Sequence, residues 1–306
     1  MTTCLVTGGA GFIGSWLCKD LVSKGYDVVC LDNLITGKKE NISTLLENDK
    51  FTFIKRDVSS TAEEKTDYIF HLASPASPVH YQMHPVETML ANSSGTLNML
   101  RLALSNNAKF LYTSSSEVYG DPLEHPQRET YWGNVNPNGP RSCYDESKRF
   151  AEALITSFGG VDYRIIRIFN TYGPYMNSKD GRAVPNFITQ ALDGRPITIY
   201  GDGRQTRSFC YVTDMINALE LAMFSKNAFK QVMNIGNPHE VTVMDIAKLV
   251  LKLTGSKSKI AFEPLPTDDP AKRKPDISKA TKLIGWLPNV TIEEGIKKTI
   301  EYFSGR

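Results

Sequence analysis

Hydrophobic positions in the first part of the chain fall into short apolar runs separated by stretches of helical period. Runs at 3–7, 27–31, 51–56, 67–71, 108–114 and 163–168 read as strands buried on both faces. Helices fit 12–24, 85–106 and 143–158 between them. Strand and helix alternate, which predicts an α/β fold: a doubly wound parallel sheet with right-handed crossovers. Groups that do chemistry are then expected at the C-terminal ends of the strands, where His71-Leu72-Ala73 and Thr113–Ser116 lie. After Asn170 the pattern loosens into short strands, Pro and Gly punctuation, and helices near 184–193, 213–225 and 242–254. We therefore expect a nucleotide-type domain over 1–170 and a smaller, mixed region over 171–306 that mainly caps a substrate.

The first turn carries a glycine pattern. Thr3–Thr7 leads into Gly8-Gly9-Ala10-Gly11-Phe12-Ile13-Gly14, followed by a helix through Trp16, Leu17, Leu21 and Val22. Gly9, Gly11 and Gly14 satisfy G-x-G-x-x-G, and Gly8, Gly11 and Gly14 satisfy a wider spacing. Between a strand and a helix, such glycines let the backbone approach a pyrophosphate whose charge meets the helix N-terminus. This is the Rossmann signature. The second strand ends in Asp32, eighteen residues after Gly14. An acid there binds both adenosine ribose hydroxyls and repels a 2′-phosphate, so NAD is expected over NADP. Asp57 either reaches the adenine edge or caps a turn with Ser59 and Ser60.

A second constellation lies further along. Ser114-Ser115-Ser116-Glu117 follows a strand, and Tyr144-Asp-Glu-Ser-Lys148 opens a helix. Tyr144 and Lys148, four apart, share one helix face. A phenol titrates near ~10 and is a weak base at neutral pH; a nearby ammonium is expected to lower that value. Ser115 is placed to hold the same substrate oxygen. Glu117 adds a carboxyl group that plain alcohol oxidation does not need, and at a strand end it is expected to face the same side as Ser115.

The 306 residues carry a formal net charge of +2 and are 41% hydrophobic, enough for a full core. Near-neutral charge gives no case for nucleic acid or a membrane surface. No apolar run reaches membrane-spanning length. Met1 leaves little room for a signal peptide before the first strand. The five cysteines are scattered without a C-x-x-C, which suits a reducing, cytoplasmic location, and the histidines show no metal-ligand spacing. Arginines gather in the later segment at 182, 195, 204, 207 and 273. Each alone reads as a surface charge; together they suit a diphosphate ester.

These features together resemble the extended short-chain dehydrogenase/reductase family, nucleotide-sugar branch, over essentially the whole chain. Thr7–Gly14 and Tyr144–Lys148 match its two signatures. His71–Pro78, Ser114–Pro122, Tyr131–Pro137, Gly139–Glu146, Arg167–Pro174, Gly203–Phe209 and Asp268–Asp276 are most similar to the branch that decarboxylates UDP-glucuronate to UDP-xylose. That branch places Ser-Glu before Val118-Tyr119-Gly120, where 4,6-dehydratases carry Asp-Glu and 4-epimerases carry no Glu. The chain departs from it at Glu87, Leu90 and Ser147, and at Ala183-Val184-Pro185. The resemblance implies catalysis by Ser115, Ser116, Glu117, Tyr144 and Lys148. It implies NAD on Gly8, Gly11, Phe12, Ile13, Asp32, Asn33, Thr36, Gly37, Asp57, Val58, Leu72, Ala73, Tyr144 and Lys148. Tyr81, Asn170, Arg182, Tyr200, Arg207 and Arg273 are implied to hold the UDP-sugar. It further implies a homodimer through the helices at 85–106 and 143–158, with a UDP-sugar 4-epimerase as the alternative activity and a nucleotide-sugar 4,6-dehydratase after it; no metal is expected. A dinucleotide-fold regulator without chemistry is the rival from another class; such proteins typically lose the tyrosine or the lysine, and both are present here.

Overall fold

The computed structural model describes residues 2–270 and 272–305. Six strands come where the apolar runs predict them: β1 (Thr3–Thr7), β2 (Asp27–Asp32), β3 (Phe51–Lys55), β4 (Tyr68–His71), β5 (Lys109–Ser115) and β6 (Asp162–Ile168). All pair in parallel, in the order β6-β5-β4-β1-β2-β3. The register sets Leu5 beside both Val29 and Ile69, so the middle of β1 is closed in by apolar neighbours. The order reverses at β1 and β4, which opens a crevice at their C-terminal ends.

A seventh parallel strand, Gln231–Ile235, pairs with β6 and completes this sheet. The segment after residue 170 therefore does not stay apart from the sheet. It returns to it, and the division at 170 is one of chain order more than of space.

Helices cover both faces. On one side lie α1 (Phe12–Ser23) and the helix Val212–Phe224, with Tyr26 stacked on Phe224 at 5.5 Å. Leu17, Cys18 and Leu21 of α1 are fully buried. Burying one such leucine is worth about 1.5–3 kcal/mol relative to leaving it in water. On the other side, the stretch expected as one helix over 85–106 is interrupted. It consists of α3 (Pro85–Leu90), a wide π turn at Ala91–Gly95, and α4 (Thr96–Asn106), with a short α2 (Pro78–Met83) just before it. Beside it runs α5 (Ser142–Phe158), which carries Tyr144 and Lys148.

The remaining elements form a smaller layer above the crevice. Strand Thr206–Ser208 pairs antiparallel with Glu240–Thr242 and parallel with Lys272–Arg273, in a three-stranded sheet. Its register puts Arg207 next to Arg273.

Candidate active site

The glycine turn is tight for a local reason. A Cβ on Gly14 would lie 2.1 Å from the Gly8 carbonyl, and one on Gly8, whose φ is +69°, would meet the Ala73 backbone at 2.9 Å. Side chains are excluded there, and the start of α1 lies against the turn. Asp32, at the end of β2, is buried and held by the backbone: its carboxylate accepts from Ala10 N at 3.0 Å and Leu34 N at 2.8 Å. Burial raises its pKa, against the opposing backbone bonds. Asp57 accepts from Asn33 at 2.6 Å and from Ser59 N and Oγ at 2.8 and 2.6 Å, so it caps the turn and ties it to the β2 loop.

One cavity of about 600 Å³ runs from this turn across the strand ends into the smaller layer. It is lined by every residue expected for cofactor, catalysis or substrate, with one exception. Gly37 does not line it. A Cβ there would press on the Asp32 carboxylate at 2.8 Å, so Gly37 makes room for Asp32. The residues fit a dinucleotide: a side-chain-free cradle, a helix start, and a fixed acid at the ribose position.

Tyr144 and Lys148 meet as the helix spacing requires. Lys148 Nζ lies 5.7 Å from the Tyr144 ring centre and donates to the Thr113 carbonyl at 2.8 Å. The expected electrostatics do not follow. Burial pushes Tyr144 up to about 12, against a hydrogen bond with Ser115. Burial likewise brings Lys148 down to about 7, so it is a weak cation at neutral pH. At Tyr144 desolvation outweighs the Ser115 hydrogen bond. Tyr81, fully buried, stacks on Tyr144 at 5.1 Å with rings nearly parallel at 8°.

Glu117 is the best-held group of the site. Arg141 Nη2 donates to it at 2.6 Å, and Arg273 donates through Nη1 at 3.0 Å and Nη2 at 3.3 Å. Its pKa is about 2: burial works upward, and the charges of Arg273 and Arg141 overcome it. The strand alternation expected to align Ser115 with Glu117 does not operate, because β5 ends at Ser115 and Ser116–Tyr119 is a 3₁₀ turn. The turn itself aims them, with Glu117 N donating to Ser115 Oγ at 3.2 Å. Ser116 accepts from Arg273 at 2.8 Å and not from the phenol side of the site.

The arginines expected to hold a diphosphate are each paired already. Arg273 also donates to the Gly120 carbonyl at 2.9 Å. Arg207 meets Asp269 at 2.8 Å, and Arg182 meets Asp180 through Nε at 2.8 Å and Nη2 at 2.5 Å. Asn170 and the half-exposed Tyr200 line the same part of the cavity. Sequence reasoning missed Arg141, which binds Glu117 and lies 3.6 Å from Asp269. Its position three residues before Tyr144 was the available signal. It also missed Asn92 in the π turn, which donates to Ser147 at 3.0 Å and accepts from Tyr112 at 2.9 Å. Ser147 donates in turn to the Tyr144 carbonyl at 2.9 Å.

The profile of the NAD dependent epimerase/dehydratase family matches residues 4–236. UDP-glucuronic acid decarboxylase 1 of Arabidopsis thaliana is 50% identical over 305 residues, covering 99% of this chain and 70% of that protein. Its namesake in Danio rerio is 49% identical, covering 98% and 72%. Among solved structures, the UDP-glucose 4-epimerase of Thermotoga maritima with UDP-glucose aligns at a TM-score of 0.91 with 31% identity, over 99% of both chains. The UDP-glucuronic acid 4-epimerase of Bacillus cereus with UDP-glucuronic acid and NAD aligns at 0.90 with 29% identity, again over 99% of both. The chain belongs to the NAD dependent epimerase/dehydratase family, of the extended short-chain dehydrogenase/reductase type.

Proposed function

We propose that this chain decarboxylates UDP-glucuronate to UDP-xylose with NAD as a cofactor regenerated in each cycle. The observation that carries the reading is Glu117, held ionised between Arg141 and Arg273 in the same cavity as Tyr144 and Lys148. The 49–50% identity to decarboxylases, against 29–31% to 4-epimerases, points the same way.

Gly8, Gly11, Phe12 and Asp32 would hold NAD along the glycine turn, where it would supply reversible hydride acceptance from the sugar C4. Tyr144 accepts the C4 hydroxyl proton in its phenolate form, and Ser115 holds the same oxygen. The C4 ketone is β to the C6 carboxylate, so the C5–C6 electrons flow into the ketone as carbon dioxide leaves. Tyr144 and Ser115 then hold the enolate oxygen. Tyr144 finally returns its proton to O4. Arg182, Arg207, Asn170 and Tyr200 hold the UDP end, with the arginines exchanging their carboxylate partners for the diphosphate. Arg273 acts on Glu117 and Ser116.

Exposed Val86, Met89, Leu90, Leu104 and Phe150 on α3, α4 and α5 support a homodimer through these helices. The location we propose is cytoplasmic; among the described residues no helix is long and apolar enough to cross a membrane.

Incubation with UDP-glucuronate, followed by mass spectrometry, tests the activity. Loss of carbon dioxide with formation of a UDP-pentose is expected. UDP-galacturonate without UDP-xylose would establish the 4-epimerase instead.

A further inference from the structure

Decarboxylation of a carboxylate consumes one proton. The C5–C6 bond breaks, its electron pair enters the enolate, and carbon dioxide departs without a hydrogen. The ketone re-forms when the enolate pair takes a proton at C5. Tyr144 removes a proton from O4 and gives it back to O4, so it supplies none of this. Each turnover therefore needs one proton from solvent, delivered to a buried site. Glu117 is near but holds no proton at neutral pH, because two arginines keep its carboxyl at about 2.

A second cavity, of about 430 Å³, lies beside the first. Glu117 and Arg141 line both and so form a shared wall. Asp145 lines only the second. Its side chain is 8% exposed, its Oδ2 lies 4.0 Å from Arg141 Nε, and its Oδ1 is buried with no hydrogen-bond partner among the described residues. An ionised carboxylate in that position leaves a lone pair unmet; a protonated one has a hydrogen to give.

Resting on the decarboxylase reading, we propose that Asp145 relays the proton for C5, reloaded from solvent through the second cavity and passed across the shared wall by way of Glu117. Burial, and then the Glu117 charge, raise the Asp145 pKa to about 8, against Arg141 and Arg273, so it is loaded at neutral pH. Glu146 follows it in α5, and Asp121, Asp268 and Asp269 face the cavity from neighbouring loops. The cavity has room for several waters. As Asp145 gives up its proton through Glu117, the C5–H bond forms; a solvent proton restores Asp145.

The test is turnover of UDP-glucuronate against pH, in H₂O and D₂O, for wild type, Asp145→Asn and Asp145→Glu. Wild type is expected to lose activity as pH rises through Asp145's titration. Asp145→Asn is expected to turn over about 10²-fold more slowly, the size of a lost proton-transfer group. It should also lose that alkaline limb and accumulate NADH in stopped flow, since oxidation persists while C5 waits. Asp145→Glu should restore rate and limb together. A wild-type profile without the limb overturns the relay, and this needs no variant. So does an Asp145→Asn enzyme with wild-type rate, or one slowed with its pH profile unchanged. If wild type releases no carbon dioxide, the function itself is wrong, and that shows before any variant is made.

Discussion

At the scale of single residues, burial sets the protonation of Tyr144 and Lys148, while charge pairing sets that of Glu117. Among the described residues Lys148 donates to the Thr113 carbonyl, and desolvation brings it from 10.5 to about 7. The unfolded chain keeps that proton up to about pH 10.5, while the folded chain loses it near pH 7. Between those values the unfolded state binds more protons, so stability rises with pH; below about 7 the full penalty applies. Lys148→Met removes the titration. The melting temperature of wild type minus that of the variant should therefore increase from pH 7 upward, measured below the range where tyrosines titrate. Parallel curves would show that Lys148 is not desolvated. Tyr144→Phe deletes one oxygen and leaves the ring on Tyr81, so the fold should persist while turnover falls at least ~10²-fold. Near-normal turnover at unchanged melting temperature would remove Tyr144 from the mechanism.

At the scale of elements, what was legible was local and periodic. The apolar runs located β1 to β6, and the i,i+4 spacing put Tyr144 and Lys148 on one face of α5. The glycine pattern located the cradle. What the pattern hid came from tertiary context. The π turn at Ala91–Gly95 keeps the helical period of its neighbours, and its distant partners, Ser74, Ser147 and Tyr112 on Asn92, are not visible in that period. The strand Gln231–Ile235 joins the sheet because β6 offers an open edge, a fact lodged some sixty residues upstream. Arg141 looked like an ordinary basic residue until the fold brought Glu117 to 2.6 Å. The cradle itself yields a contrast. An alanine Cβ at Gly14 would stand 2.1 Å from the Gly8 carbonyl and 2.7 Å from Gly9 Cα, backbone that cannot yield, whereas Gly159 has open space around it. Gly14→Ala should abolish NAD binding by calorimetry and lower stability by about 1–3 kcal/mol. Gly159→Ala, at φ +69°, should cost about 1–2 kcal/mol of strain and leave NAD binding intact. Equal NAD affinity in both variants would mean the cofactor does not lie along this turn.

At the scale of the whole molecule, the cavity has two chemically different ends joined by the strand tips. The glycine turn and Asp32 form one end from the first two strands; Arg182 and Arg207 form the other from the smaller layer. The second end is built by pairing distant segments: strand Thr206–Ser208 sits beside Lys272–Arg273, and Arg207 meets Asp269 at 2.8 Å. Asp269 holds the guanidinium in place, and on the proposed function a diphosphate takes over that contact. Losing a charge-assisted contact from a largely buried site costs roughly 1.5–3 kcal/mol, or about ten- to a hundredfold in affinity. Arg207→Ala should therefore weaken UDP binding by that factor and leave NAD affinity unchanged, because the two ligands depend on different segments. Asp269→Asn removes the competing charge and should tighten UDP binding, with a steeper loss of affinity on adding salt than Arg207→Ala shows. Calorimetric titration of both ligands into both variants separates the cases. Equal loss of UDP and NAD in Arg207→Ala would mean damage to the fold, and unchanged UDP affinity would mean that Arg207 serves Asp269 and the smaller sheet alone.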